Sequence, residues 1–215
     1  MNDKYIICDI NSTVNMVTSE LLELGIKGKY GDSLFYDHSF MVEQNSLNEW
    51  RTKIKSYFEK CESTNDHRAI ALIGALIIEE ELDKLLSSWL IDYKYINDDL
   101  EMTFSFKVKL AKSCNLIPNR ILDSIEPIRK IRNIFAHNME IDQFEVAKKH
   151  NKKAFDALYD KIKTFSKWNE KDDLKTFKTL VIYITTSLIF YTEYVTRLTE
   201  YIRDSNNLSK IMKLD

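Results

Sequence analysis

Glycine and proline are scarce in this chain: 215 residues hold four glycines and two prolines. With leucine, isoleucine, lysine and glutamate abundant, that scarcity favours helices over strands. Cysteine is equally thin. Cys8, Cys61 and Cys114 are odd in number and far apart, and no pair has the spacing of a zinc site or a redox motif. Reduced, buried thiols in a cytoplasmic protein are the expectation, with no metal and no cofactor. Long apolar runs are also missing. The longest uncharged run, Thr179–Thr192, is fourteen residues and is studded with threonine and serine. A spanning helix needs about 20 apolar residues, so no membrane partner is expected. The first residues carry an acid and too short an apolar run for a signal peptide. Charge of one sign is lacking as well: the net charge is −2. No global basic field points to strong nonspecific DNA binding, which leaves room only for a local basic patch.

What is present describes a soluble globular chain, 44% hydrophobic and 30% charged. Its length allows one domain with a real core. We divide it into an N-terminal extension, residues 1–45, packed on a helical domain, residues 46–215. The extension has a short strand or extended arm over 4–10, then helical spacing at Val14, Val17, Leu21 and Leu24. Gly25, Gly28 and Gly31 follow as a connector loop. Leu47, Trp50, Ile54, Tyr57 and Phe58 predict an amphipathic helix ending near Glu62.

The next helix, residues 66–91, carries Ala71, Ala75, Ile78, Leu82, Leu85 and Trp89 on one stripe and is apolar on most sides near Gly74. Such a helix is central to a bundle. A glycine inside it costs about 1 kcal/mol relative to alanine, which close approach by another helix would explain. The helix containing residues 128–138 is the expected neighbour. Glu79, Glu80 and Glu81 read as a solvated edge, with one of them available to Arg129 or Arg132. Residues 92–103 read as a polar loop, and Thr103 or Ser105 as the cap of a short helix through Leu116. Pro127 is unsuited to a helix interior and predicts a break or kink near Ser124–Glu126, with the motif helix starting afresh there. Beyond Asn138, Phe144, Ala147, Phe155, Leu158, Ile162 and Phe165 predict one helix. The last helix is the longest: Leu174, Phe177, Val181, Ile184, Leu188, Tyr191, Val195, Leu198 and Ile202 alternate steps of three and four. That is a heptad seam, which serves either as a long bundle spine or as a coiled-coil face; Ile182, Tyr183, Ile189, Tyr194 and Tyr201 lie off it, and this excess predicts a homodimer.

The chemistry concentrates in Ile128–Asn138. Ile128, Ile131 and Phe135 face a core at helical spacing, while Arg129, Arg132, Asn133, Ala136 and His137 form the opposite stripe. Asn133 and His137 stack one turn apart. Histidine moves protons near neutral pH, arginine holds a phosphate with a planar fork, and asparagine orients a neighbour. Metal-free phosphodiester chemistry is one use of such a face; the other is structural, an arginine paired with a glutamate of the next helix and a histidine favoured by the helix dipole. Downstream, Lys148, Lys149, Lys152 and Lys153 surround His150, a run that is either solvated surface or an RNA contact. His38, His67 and His150 have no evident partner.

Arg132-Asn-Ile-Phe-Ala-His137 resembles the Arg-x4-His signature of the HEPN superfamily. Asp66–Leu86 and Phe104–Ile117 resemble the mannitol operon repressor family, which is similar to HEPN folds. The resemblance covers roughly residues 64–140. It implies an all-α, HEPN-like bundle, to which the heptad spacing adds the long C-terminal helix. It also implies a metal-independent endoribonuclease or RNA-binding protein, in a toxin or defence setting with an antitoxin or regulatory partner. Arg132 and His137 would then be catalytic, Asn133 orienting, and Arg129 with the four lysines RNA-binding. The alternative implied is a non-catalytic regulatory or protein-interaction module.

Overall fold

In the computed structural model the described residues are 66–100, 102–165 and 171–203, with the helical positions Thr52, Ser56, Glu59 and Ser63. The expectations for residues 1–45, for Cys61 and for the apolar face of the Leu47–Phe58 helix lie outside them. Every regular element among the described residues is a helix: α1 His67–Trp89, α2 Tyr93–Leu100, α3 Phe104–Ser113, α4 Asn119–His137, α5 Phe144–His150, α6 Lys152–Phe165 and α7 Asp173–Arg203. The architecture is an all-α bundle, and no helix among the described residues is long and apolar enough to cross a membrane.

α1 starts at a side-chain cap. The Asp66 carboxylate accepts the Ala69 N–H at 2.8 Å, satisfying one of the orphan donors of the first turn. Its stripe, Ala71, Ala75, Ile78, Leu82 and Leu85, is buried. Trp89, the last member of the predicted stripe, is exposed at the helix end, and Leu76 faces outward. α1 packs most extensively against α7 and also meets α4 and α3; α6 closes over α4 and α7. Gly74 permits the closest of these approaches. A Cβ there would lie 3.0 Å from Phe177 Cε1 and 3.1 Å from Val181 Cγ2. The helix that crosses at Gly74 is therefore α7, not the expected motif helix.

Tertiary packing overrides several local signals. α4 runs without a break through Pro127, against the predicted start near Ser124–Glu126. An interior proline costs about 3 kcal/mol, but Ile121, Leu122, Ile125, Ile128, Ile131 and Phe135 share one buried stripe on both sides of it. Burying six large side chains on one continuous helix outweighs that cost, at about 1.5–3 kcal/mol each. α2 stands where a loop was predicted. It is pinned by Tyr93, whose hydroxyl donates to Asp83 of α1. The same carboxylate receives the Lys107 ammonium at 2.8 Å, and Glu79 lies 3.3 Å from it. Burial alone disfavours the Lys107 ammonium, yet Asp83 and Glu79 hold it above its ordinary range. The acidic edge of α1 is thus partly an internal network, and Glu81 is itself buried against Lys84 at 2.6 Å. None of these carboxylates reaches Arg129 or Arg132, contrary to expectation.

Thr103 caps α3, its hydroxyl accepting the Phe106 N–H at 3.3 Å. The helix stops at Ser113, short of Leu116, because Asn115 turns left-handed at φ 51°. The single helix expected after Asn138 is two, α5 and α6. Asn151 separates them, accepting the Ala154 N–H on its side chain at 3.2 Å. α7 has the predicted extent, and Phe177, Val181, Ile184, Leu188, Tyr191 and Val195 of its seam are buried within the chain itself. The long bundle spine accounts for them without a second copy. Phe144 ties the bundle together. Its ring lies 5.2 Å from Phe135, 6.0 Å from Phe155 and 5.2 Å from Phe177, so α4, α6 and α7 meet on α5.

Candidate functional site

The two stripes of the motif helix separate as their spacing requires. Ile128, Ile131 and Phe135 are fully buried. Arg129, Arg132 and Asn133 are half-buried, and Ala136 and His137 are exposed. Ile134 is buried as well, so the polar face is narrow. Asn138 belongs to neither stripe: it closes the helix, its side-chain amide donating to the Ile134 carbonyl at 2.7 Å.

Within the polar face, Arg132 Nη1 donates to Asn133 Oδ1 at 3.1 Å. No carboxylate among the described residues pairs with Arg132, so four of its five N–H groups keep their donor capacity. Arg129 differs. Its Nε and Nη2 both donate to Glu126 at 2.9 Å, and Lys130 approaches the same carboxylate at 3.4 Å. The Arg129 hydrogen bond holds the Glu126 carboxyl below its ordinary range, although burial opposes the shift. His137 is the last residue of α4 and its ring makes no hydrogen bond among the described residues. Asn133 orients Arg132, and no hydrogen bond joins it to His137.

The lysine run divides in the same way. Lys148 is held by Asp173 at 2.8 and 3.1 Å and lies 5.1 Å over the Tyr159 ring. The Tyr159 hydroxyl donates to the same carboxylate at 2.9 Å, and burial with Asp173 pushes this phenol up. Lys149, His150, Lys152 and Lys153 are exposed at the α5–α6 junction, and no ion pair engages these lysines among the described residues. α5 adjoins α4 through Phe144 and Phe135, so this basic edge and the motif belong to neighbouring elements. Among the described residues no three of His, Cys, Asp and Glu are grouped to hold a metal ion.

Two residues that spacing alone did not single out hold the end of the motif helix and the start of the next one. Arg68, in the first turn of α1, donates from Nη1 to the Phe135 carbonyl at 2.5 Å. Its Nη2 shares its protons among the carbonyls of Asn138 at 3.0 Å, Met139 at 2.6 Å and Ile141 at 2.7 Å. His67 is buried, tilted against Phe144, and its Nδ1 accepts the Phe144 N–H at 3.3 Å. That acceptor role places the imidazole proton on Nε2. Both partners lie more than sixty residues away in sequence, where no periodicity can find them. No protein-family model, curated protein or solved structure matches the chain.

Proposed function

We propose that the protein is a metal-independent endoribonuclease that works from the exposed end of α4. One observation carries the reading: Arg132 is a half-buried guanidinium bonded to an amide instead of a carboxylate, five residues from an exposed histidine at the helix end. Nearby cations of comparable burial, Arg129 and Lys148, are already matched by Glu126 and Asp173. In this mechanism His137 takes the proton of a ribose 2′-hydroxyl, and the freed oxygen attacks the adjacent phosphorus. The pentacoordinate phosphorane gains charge that the Arg132 fork neutralises. The P–O5′ bond breaks, the leaving oxygen takes a proton from water while His137 returns its own to solvent, and the products carry a 2′,3′-cyclic phosphate and a 5′-hydroxyl. Asn133 keeps Arg132 in its rotamer. Exposed Lys149, Lys152 and Lys153 extend a phosphate-binding edge. The HEPN resemblance adds that two copies share a composite groove, in a toxin or defence setting with a cognate partner.

Wild type, His137→Ala and Arg132→Lys separate this reading from a non-catalytic regulatory module. His137→Ala abolishes RNA cleavage and shifts Tm by no more than about 2 °C, because an exposed side chain packs little. Arg132→Lys loses activity about a hundredfold or more, since a point charge does not replace a planar fork. Cleavage persists in EDTA, and light scattering gives a mass above the 25.4 kDa of one chain. An inactive wild type with an Arg132 variant that melts much lower refutes the ribonuclease and leaves the regulatory module.

A further inference from the structure

We infer that Arg68 is a positioning residue for His137, acting through the backbone of the motif helix. The inference rests on the reading of His137 as the proton-transfer group, and its physical basis is separate. The His137 ring has no hydrogen-bond partner among the described residues to orient it. Its location is therefore set by the backbone of the last turn of α4. Last turns fray, because their carbonyls have no partner within the helix. Here the Phe135 carbonyl, two residues before His137, and the Asn138, Met139 and Ile141 carbonyls after it converge on one guanidinium at 2.5–3.0 Å.

The cation also opposes the partial negative charge at that helix end. Arg68 pairs with no carboxylate among the described residues, so its planar fork serves the carbonyls alone. His67 fixes the far end of the same connection through the Phe144 N–H. The first turn of α1, itself anchored by Asp66, thus grips the chain on both sides of Met139. That methionine is 90% exposed, and the apolar anchor of the connection is the buried Ile141, whose carbonyl Arg68 also holds. A mere loop staple would leave the helix end indifferent to Arg68; a bond to the Phe135 carbonyl inside the last turn makes His137 depend on it.

Full-length Arg68→Lys and Arg68→Ala test this, with amide hydrogen exchange, kcat and KM measured on each. Lysine keeps the charge but puts one nitrogen where two are needed. Exchange at Phe135–Asn138 speeds up by about tenfold or more in both variants, while Ile78–Leu85 of α1 keeps its protection. On RNA, kcat falls by about a hundredfold with KM within about twofold, as expected for a misplaced proton-transfer group. Methylguanidinium restores both exchange protection and kcat in Arg68→Ala. Unchanged exchange at the end of α4 in a folded variant overturns the inference. So does faster exchange with an unchanged kcat. Global unfolding of Arg68→Lys also overturns it, by making Arg68 a residue of the fold as a whole. If the wild type cleaves no RNA, the ribonuclease reading fails, while the exchange and rescue arms still decide whether Arg68 holds the His137 backbone.

Discussion

Replacing Gly74 by leucine drives a branched side chain into the α1–α7 crossing. The first added carbon already lies 3.0 Å from Phe177 Cε1 and 3.1 Å from Val181 Cγ2. Carbon pairs prefer about 3.5–4.0 Å, so a methyl group alone forces both neighbours to shift. Neither has room: Phe177 and Val181 are fully buried, and the Phe177 ring is packed 5.2 Å from Phe144. Overpacking of this kind costs about 1–3 kcal/mol, and three further carbons place leucine at the upper end. The better helix propensity of leucine returns about 0.5–1 kcal/mol. The net expectation is a loss of about 2 kcal/mol, or a Tm lower by roughly 4–8 °C for a chain of this size. Gly74→Ala gains the propensity while meeting only the first contact, and stays within about 1 kcal/mol of wild type. Urea unfolding with an unchanged m-value measures both. Val181→Ala introduced beside Gly74→Leu opens space and recovers part of the loss, a coupling that a double-mutant cycle reads directly. A leucine variant as stable as wild type refutes the close crossing and the central place of α1.

Lys107→Met removes the cation from between Asp83 and Glu79, leaving two carboxylates facing each other beside a buried stem. A loss of about 2–4 kcal/mol in urea unfolding is expected, and Asp83→Asn in the same chain recovers part of it; a neutral Lys107→Met shows the network to be ornamental. Glu126→Gln reports on the pairing with Arg129. The folded-state pKa of Glu126 is lowered, so its contribution is present above the ordinary carboxylate range and is lost as pH falls through the folded value. At pH 7 the glutamine variant is less stable by no more than about 1 kcal/mol, because the Glu126 side chain is 45% exposed. A difference that grows towards acid pH contradicts the sign.

Helix α4 shows where a linear reading stops. Its buried and polar stripes were legible because side chains three and four apart share a face whatever surrounds the helix. The same reading expected a break at Pro127, since the proline penalty is local while the apolar stripe that overrides it acts through distant partners. In the candidate site, the grouping of Arg132, Asn133 and His137 at one helix end was legible from spacing. The commitment of Arg129 to Glu126 three residues away and of Lys148 to Asp173 was not, because spacing lists possible partners without ranking them. α2 escaped notice because its acids and asparagine lower helix propensity, and the Tyr93–Asp83 contact that draws it into the fold is tertiary.

By itself the sequence determined the all-helical class, the extent of α7 and the faces of α4. These depend on interactions within one turn, and a chain carries them wherever it folds. Only the tertiary structure decided which helix crosses at Gly74, that the α7 seam is filled by the chain's own bundle, and that Arg68 and His67 grip the connection beyond His137. Periodicity gives each helix a buried face without naming what covers it, and a guanidinium that serves four backbone carbonyls leaves no mark on the side-chain pattern.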